Sequence, residues 1–111
     1  MQVVFVVLHK TELLQDLLTK LKKAGVSGGT IIDSQGMISY IQESDESYFL
    51  GSLRLFLEQA RPDSKTMFFI IKDEQVDLVF ETIDKALGGL ENHNTGIAFA
   101  MPITRVEGVV K

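Results

Sequence analysis

One strand–helix–strand pattern occurs twice in this chain, and that repeat restricts its fold more than any other feature. Val3 to Leu8 form an unbroken apolar run rich in β-branched residues. Six residues suit a strand and are too few for a helix. After Thr11 the period changes, and Leu13, Leu14, Leu17, Leu18 and Leu21 share one face of a helix. Thr11 is placed to cap its start and Gly25 to end it. The segment Gly28 to Gly36, centred on Ile31 and Ile32, reads as a second strand bracketed by glycines. The same grammar then returns. Phe68-Phe69-Ile70-Ile71 matches Phe5-Val6-Val7-Leu8, and Asp73 is placed to cap a helix carrying Val76, Val79, Phe80, Ile83 and Leu87. Gly88 falls 63 residues after Gly25, and Ile97 to Met101 supply a last strand before Pro102. Two such units in 111 residues predict an α+β fold. The expected form is a ferredoxin-like βαββαβ sandwich, an antiparallel sheet with two helices on one face. The whole chain is expected to be one domain, residues 1–111, ending in a short C-terminal tail.

The strands carry more apolar residues than that fold can bury alone. In the first, Val3, Phe5 and Val7 alternate with Val4, Val6 and Leu8; in the third, Phe68 and Ile70 alternate with Phe69 and Ile71. A half-solvated antiparallel sheet should alternate apolar with polar. A second buried face is therefore expected, covered by other copies of the chain. The competing cover is residues 51–60 folded beneath the sheet.

Between the two units, residues 37–65 form an insertion. No Lys or Arg occurs from Ala24 to Leu53, and Tyr40, Tyr48 and Phe49 flank the polar run Gln42 to Ser47. A loop of this length is either a solvated hairpin or a docking loop with aromatic anchors. Leu53, Phe56, Leu57 and Ala60, after Ser52, have the spacing of a short amphipathic helix over 52–60, stopped by Pro62.

Composition removes several functions. There is no cysteine, so no disulfide framework, thiolate metal site or cysteine nucleophile. The net charge of −4 has the wrong sign for a nucleic-acid binder. No apolar run reaches membrane-spanning length. No basic segment precedes the first apolar run, so the expected location is cytoplasmic. His9 and His93 are isolated and read as turn residues, without the acid and nucleophile that a catalytic triad needs. Gly88-Gly89 is not followed by a phosphate-loop lysine. The residues give no reason to expect an enzyme or a metal site.

Several motifs, in order, resemble the PII-like (nitrogen regulatory protein P-II) superfamily. They are the strand Val3–Leu8, the run Lys22 to Thr30, Gln35-Gly36-Met37, Arg61 to Thr66, Lys72 to Asp77, and Thr95 to Pro102. The resemblance spans nearly the whole chain. It implies a homotrimer that binds effectors in clefts between subunits. It also implies that the middle insertion is a T-loop docking on a partner protein, such as a membrane transporter or a metabolic enzyme. Thr30, Gln35, Gly36, Met37, Asn94, Thr95 and Gly96 are the implied cleft residues, and Tyr40, Tyr48 and Phe49 the docking candidates. No cofactor is called for by the residues themselves; an adenine nucleotide is the implied effector class. The chain departs from the family where charge matters. Ile97 stands at the lysine position of the phosphate-facing loop, and Gly108 and Val110 at those of the C-terminal arginines. The ATP and 2-oxoglutarate site of the family is therefore expected to be depleted. The rival function is a non-signalling oligomeric ligand-binding or scaffold module of cation-tolerance type. Nucleic acid and direct membrane insertion are not expected.

Overall fold

The computed structural model describes residues 1–37, 40–41, 63–92 and 95–108. In chain order they form β1 (Gln2–Leu8), α1 (Leu14–Lys23), β2 (Thr30–Ser34), β3 (Ser64–Ile71), α2 (Val76–Ala86) and β4 (Gly96–Pro102). The sheet order is β2-β3-β1-β4, and every adjacent pair is antiparallel. Each crossover thus spans one intervening strand, the split βαβ expected of a ferredoxin-like sandwich. β3 begins at Ser64, inside the expected bounds 37–65 of the insertion. Most of that insertion, including 52–60, Tyr48 and Phe49, lies outside the described residues.

The helix-facing side of the sheet carries the core. Val4, Val6 and Leu8 of β1 and Met67, Phe69 and Ile71 of β3 are buried against Leu17 and Leu21 of α1 and Val79, Ile83 and Ala86 of α2. Burying each large aliphatic or aromatic side chain contributes about 1.5–3 kcal/mol.

Both helices begin differently from expectation. Thr11 and Asp73 do not cap; each opens a 3₁₀ turn, Thr11–Leu13 and Asp73–Gln75, that runs on into the α-helix. A tight turn lets the chain leave the strand and enter the helix without a separate cap residue. At the second, the Lys72 amide donates to Gln75 Oε1 at 2.9 Å. The Asp73 carboxylate lies 3.1 Å from the Met1 ammonium.

Both helices end in the same Schellman motif. Gly25 has φ of 101°, its amide donates to Lys22 O at 3.1 Å, and the Val26 amide donates to Leu21 O at 3.0 Å. Gly88 has φ of 72°, its amide donates to Lys85 O at 3.3 Å, and the Gly89 amide donates to Asp84 O at 2.9 Å. The left-handed residue turns its own amide and the next back onto the last carbonyls, which favours glycine.

The far side of the sheet is apolar, as the two-sided strands predict. Strand register places Val3, Phe5 and Val7 beside Phe68 and Ile70 on one flank and Ile97, Phe99 and Met101 on the other. The Phe5 ring stacks on Phe99 at 5.1 Å and tilts against Phe68 at 5.6 Å. Ile32, Ile97, Phe99 and Met101 are exposed on this face.

Candidate functional site

The end of the sheet where β1 and β2 finish and β3 and β4 start gathers most of the expected cleft residues. Register fixes this: Ser34 pairs with Ser64, and Leu8 pairs with both Lys65 and Gly96.

On the β2 side, side chains close the neck of the insertion. The Ser34 hydroxyl lies 2.7 Å from that of Ser64 and 2.8 Å from that of Thr66. Asp33 and Lys65, the next register pair, are joined by an ion pair. Both ends of the insertion are thereby held together, by hydroxyls on one face and opposite charges on the other. A cleft of about 430 Å³ lies alongside, lined by Thr11, Asp33, Ser34, Asp63, Ser64 and Lys65. Its two carboxylates face one ammonium that is already paired, a poor setting for a polyanion.

Gln35, Gly36 and Met37 follow this neck directly. The chain turns helical there, with the Tyr40 amide donating to Gly36 O at 2.9 Å. Met37 is 77% and Tyr40 62% exposed. The sequence places Tyr40 in a loop, whereas Met37, Tyr40 and Ile41 are helical.

Thr95 and Gly96 sit at the same sheet end on the opposite edge, three strand spacings or roughly 14 Å away. Thr95 is fully buried. Its carbonyl accepts the amides of His9 at 3.0 Å and Lys10 at 3.3 Å, while its hydroxyl has no hydrogen-bond partner. A Cβ at Gly96 would lie 2.6 Å from Val7 O, so only glycine lets β4 approach β1 so closely. His93 and Asn94 lie outside the described residues.

Thr30 is not at this end. It starts β2 opposite Phe68, four residues or roughly 13 Å from Ser34, and is exposed on the far side of the sheet. Ile97, at the position where the resemblance expects lysine, is 55% exposed and joins the apolar face beside Val7. Gly108 is exposed, and Val110 lies outside the described residues.

The hydroxyl chain and the Asp33–Lys65 pair went unread in the sequence. Their partners stand some thirty residues apart, and only strand register joins them. Among the described residues no group of His, Asp and Glu could hold a metal ion, and no helix is long and apolar enough to cross a membrane. The family model described as nitrogen regulatory protein P-II matches residues 1–111. No curated protein matches the chain.

Proposed function

Because the chain belongs to the nitrogen regulatory protein P-II family, we propose that it is a cytoplasmic trimeric regulator, not an enzyme, that docks on a partner protein through the insertion between β2 and β3. The observation that carries this reading is the apolar far face of the sheet. Phe5, Phe68 and Phe99 form one aromatic row across three adjacent strands, flanked by Ile97 and Met101. A surface of this kind on a small domain marks association, and three copies around an axis would bury it. Sedimentation equilibrium at micromolar concentration is expected to give three times the 12.4 kDa chain mass. A monodisperse monomer would overturn the reading.

The neck built by Ser34, Ser64 and Thr66 supports the docking role, since it lets the insertion vary without disturbing the sheet. Deleting residues 42–47 is expected to abolish capture of a partner from the native cytoplasm while leaving the melting temperature nearly unchanged, because loop closure costs little more or less. Tyr40, Tyr48 and Phe49 are the proposed anchors.

Thr30, Gln35, Gly36, Met37, Asn94 and Gly96 remain the proposed effector contacts, in a cleft completed by a neighbouring subunit, with Thr95, fully buried in the protomer, positioning the start of β4 beside them. An adenine nucleotide is the effector class, with weakened hold on a triphosphate. Ile97, Gly108 and Val110 supply no charge-assisted bonds, each worth about 1.5–3 kcal/mol where made. Calorimetry is expected to show Mg-ATP binding weaker than micromolar; micromolar binding would mean that other residues hold the phosphates.

A further inference from the structure

A second concavity lies on the helix-facing side of the sheet, two register positions along from the Asp33–Lys65 pair. It runs between the C-terminal half of α1 and the edge strand β2 and encloses about 610 Å³. Leu18, Leu21, Ile31 and Met67 form its apolar walls, and Lys22 and Ser27 stand among the residues that line it.

The groove follows from the layer arrangement. Met67 and Ile31 are register partners on the helix-facing side of β3 and β2. Met67 is buried at 3%, whereas Ile31 is 44% exposed. The helix layer ends over β3 and leaves the last strand uncovered. The connection from α1 to β2 does not fill the gap, because Gly25, Ser27, Gly28 and Gly29 are small. At Gly29 nothing larger fits, since a Cβ would lie 2.9 Å from Phe68 O. At Gly28 a Cβ would meet nothing within 4 Å. An apolar side chain of the core side is thus left open to water beside a loop too small to cover it.

The polar residues of the groove have one sign. Lys20, Lys65 and Lys85 each pair with a carboxylate, but among the described residues Lys22 has no ion pair and no carboxylate lines the groove with it. The C-terminal dipole of α1 opposes an anion here. Two of its last carbonyls are already bonded by the amides of Gly25 and Val26, and Lys22 and Lys23 in the last turn offset it.

From this geometry we infer that the groove binds a small carboxylate with an apolar tail, such as a medium-chain acyl or aryl acid. The tail lies along Leu18, Leu21, Ile31 and Met67, and the carboxylate accepts hydrogen bonds from the Lys22 ammonium and the Ser27 hydroxyl. The volume lies within the roughly 300–1,000 Å³ usual for small-molecule sites. All the named residues belong to one protomer, so this inference does not require the trimer, and Thr30, between Gly29 and Ile31, lies on the opposite face of the sheet.

The test is a titration of the ¹⁵N-labelled full chain with decanoate, and in parallel with 1-decanol, followed by amide shifts. Decanoate is expected to move Leu18, Lys22, Ser27 and Ile31 and to leave Phe5 and Phe99 unmoved. Lys22→Met is expected to weaken decanoate about tenfold, the scale of one partly solvated charge-assisted bond, and to leave decanol unchanged. Gly28→Leu, which places a side chain into open space, is expected to abolish both without lowering the melting temperature. Shifts confined to Phe5 and Phe99 would overturn the assignment. So would equal decanoate binding by Lys22→Met, or a groove that answers neither ligand because another segment or subunit fills it.

Discussion

At position 96 a single methyl group is decisive. Its Cβ would stand 2.6 Å from the Val7 carbonyl oxygen, in the backbone pairing that joins β4 to β1. Neither strand can yield without losing ladder bonds, so Gly96→Ala is expected to destabilise the fold by about 1–3 kcal/mol, the usual scale of overpacking. A denaturant titration measures it directly. The neighbouring Thr95 predicts the opposite sign. Its hydroxyl is buried without a hydrogen-bond partner, a cost of about 1–3 kcal/mol that an apolar group of the same shape would remove. Thr95→Val is therefore expected to hold or raise the denaturation midpoint. A fall would show that the hydroxyl has a partner in the assembled protein. The sequence marks both residues as cleft candidates, but it gives no sign that one is sealed inside the protomer and the other pressed against β1. Both facts depend on which strand lies beside β4.

Among the elements, the two helix ends offer a controlled comparison. Gly25 and Gly88 occupy the same left-handed position in equivalent motifs. Placing a side chain in that conformation costs about 1–2 kcal/mol. At Gly88 the added Cβ meets nothing within 4 Å, whereas at Gly25 it meets Gln75 Nε2 at 3.2 Å. Gly25→Ala is expected to lower the melting temperature more than Gly88→Ala, and the double variant to show nearly the sum. Both glycines were legible, because a stop signal repeats at one period in a repeated unit. The helix starts were not. Thr11 and Asp73 have the right chemistry for caps, but the 3₁₀ turns take them inside the helical run. On the outer face of α2, the hydrogen bond and charge of Lys85 hold the Glu81 carboxyl below its usual range, and Glu81 raises Lys85 in turn. The sign for Glu81 follows: its contribution is present above the unfolded carboxyl range and is lost as pH falls through the lowered folded value. Both groups are exposed, so the effect is expected to be small and to fade with added salt. An acid titration of Lys85→Ala against the parent chain at low and high ionic strength reads it.

For the whole molecule, the two faces of the sheet divide the labour. One face holds the protomer together through Val4, Val6, Leu8 and Phe69, and the other presents Phe5, Ile97, Phe99 and Met101 to whatever covers it. Phe99→Asp is therefore expected to separate assembly from folding. Phe99 is 41% exposed in the protomer, so helical circular dichroism should persist while the sedimenting mass falls toward that of one chain. Loss of both together would place Phe99 in the folding core. The division was readable because Val3 to Leu8 and Phe68 to Ile71 are apolar at every position, which no one-sided sheet requires. The groove beside α1 was not, since it arises from where the helix layer stops, and no local pattern reports that.

The strand order carries a kinetic consequence. β1 is the first strand in the chain, yet it lies inside the sheet, paired to β3 on one side and to β4 on the other. Gln2 has Ile71 and Pro102 as its register partners. During synthesis the most apolar strand must therefore wait, with both edges unpaired until β3 has been made and one edge still open until β4 follows. Closing loops of that length delays the reward for every contact made early. Meanwhile Val3 to Leu8 is a short, β-prone, uncharged segment of the kind that seeks any other strand. The nascent chain thus passes through a period in which a holding chaperone and a neighbouring copy compete for the strand that will become its centre.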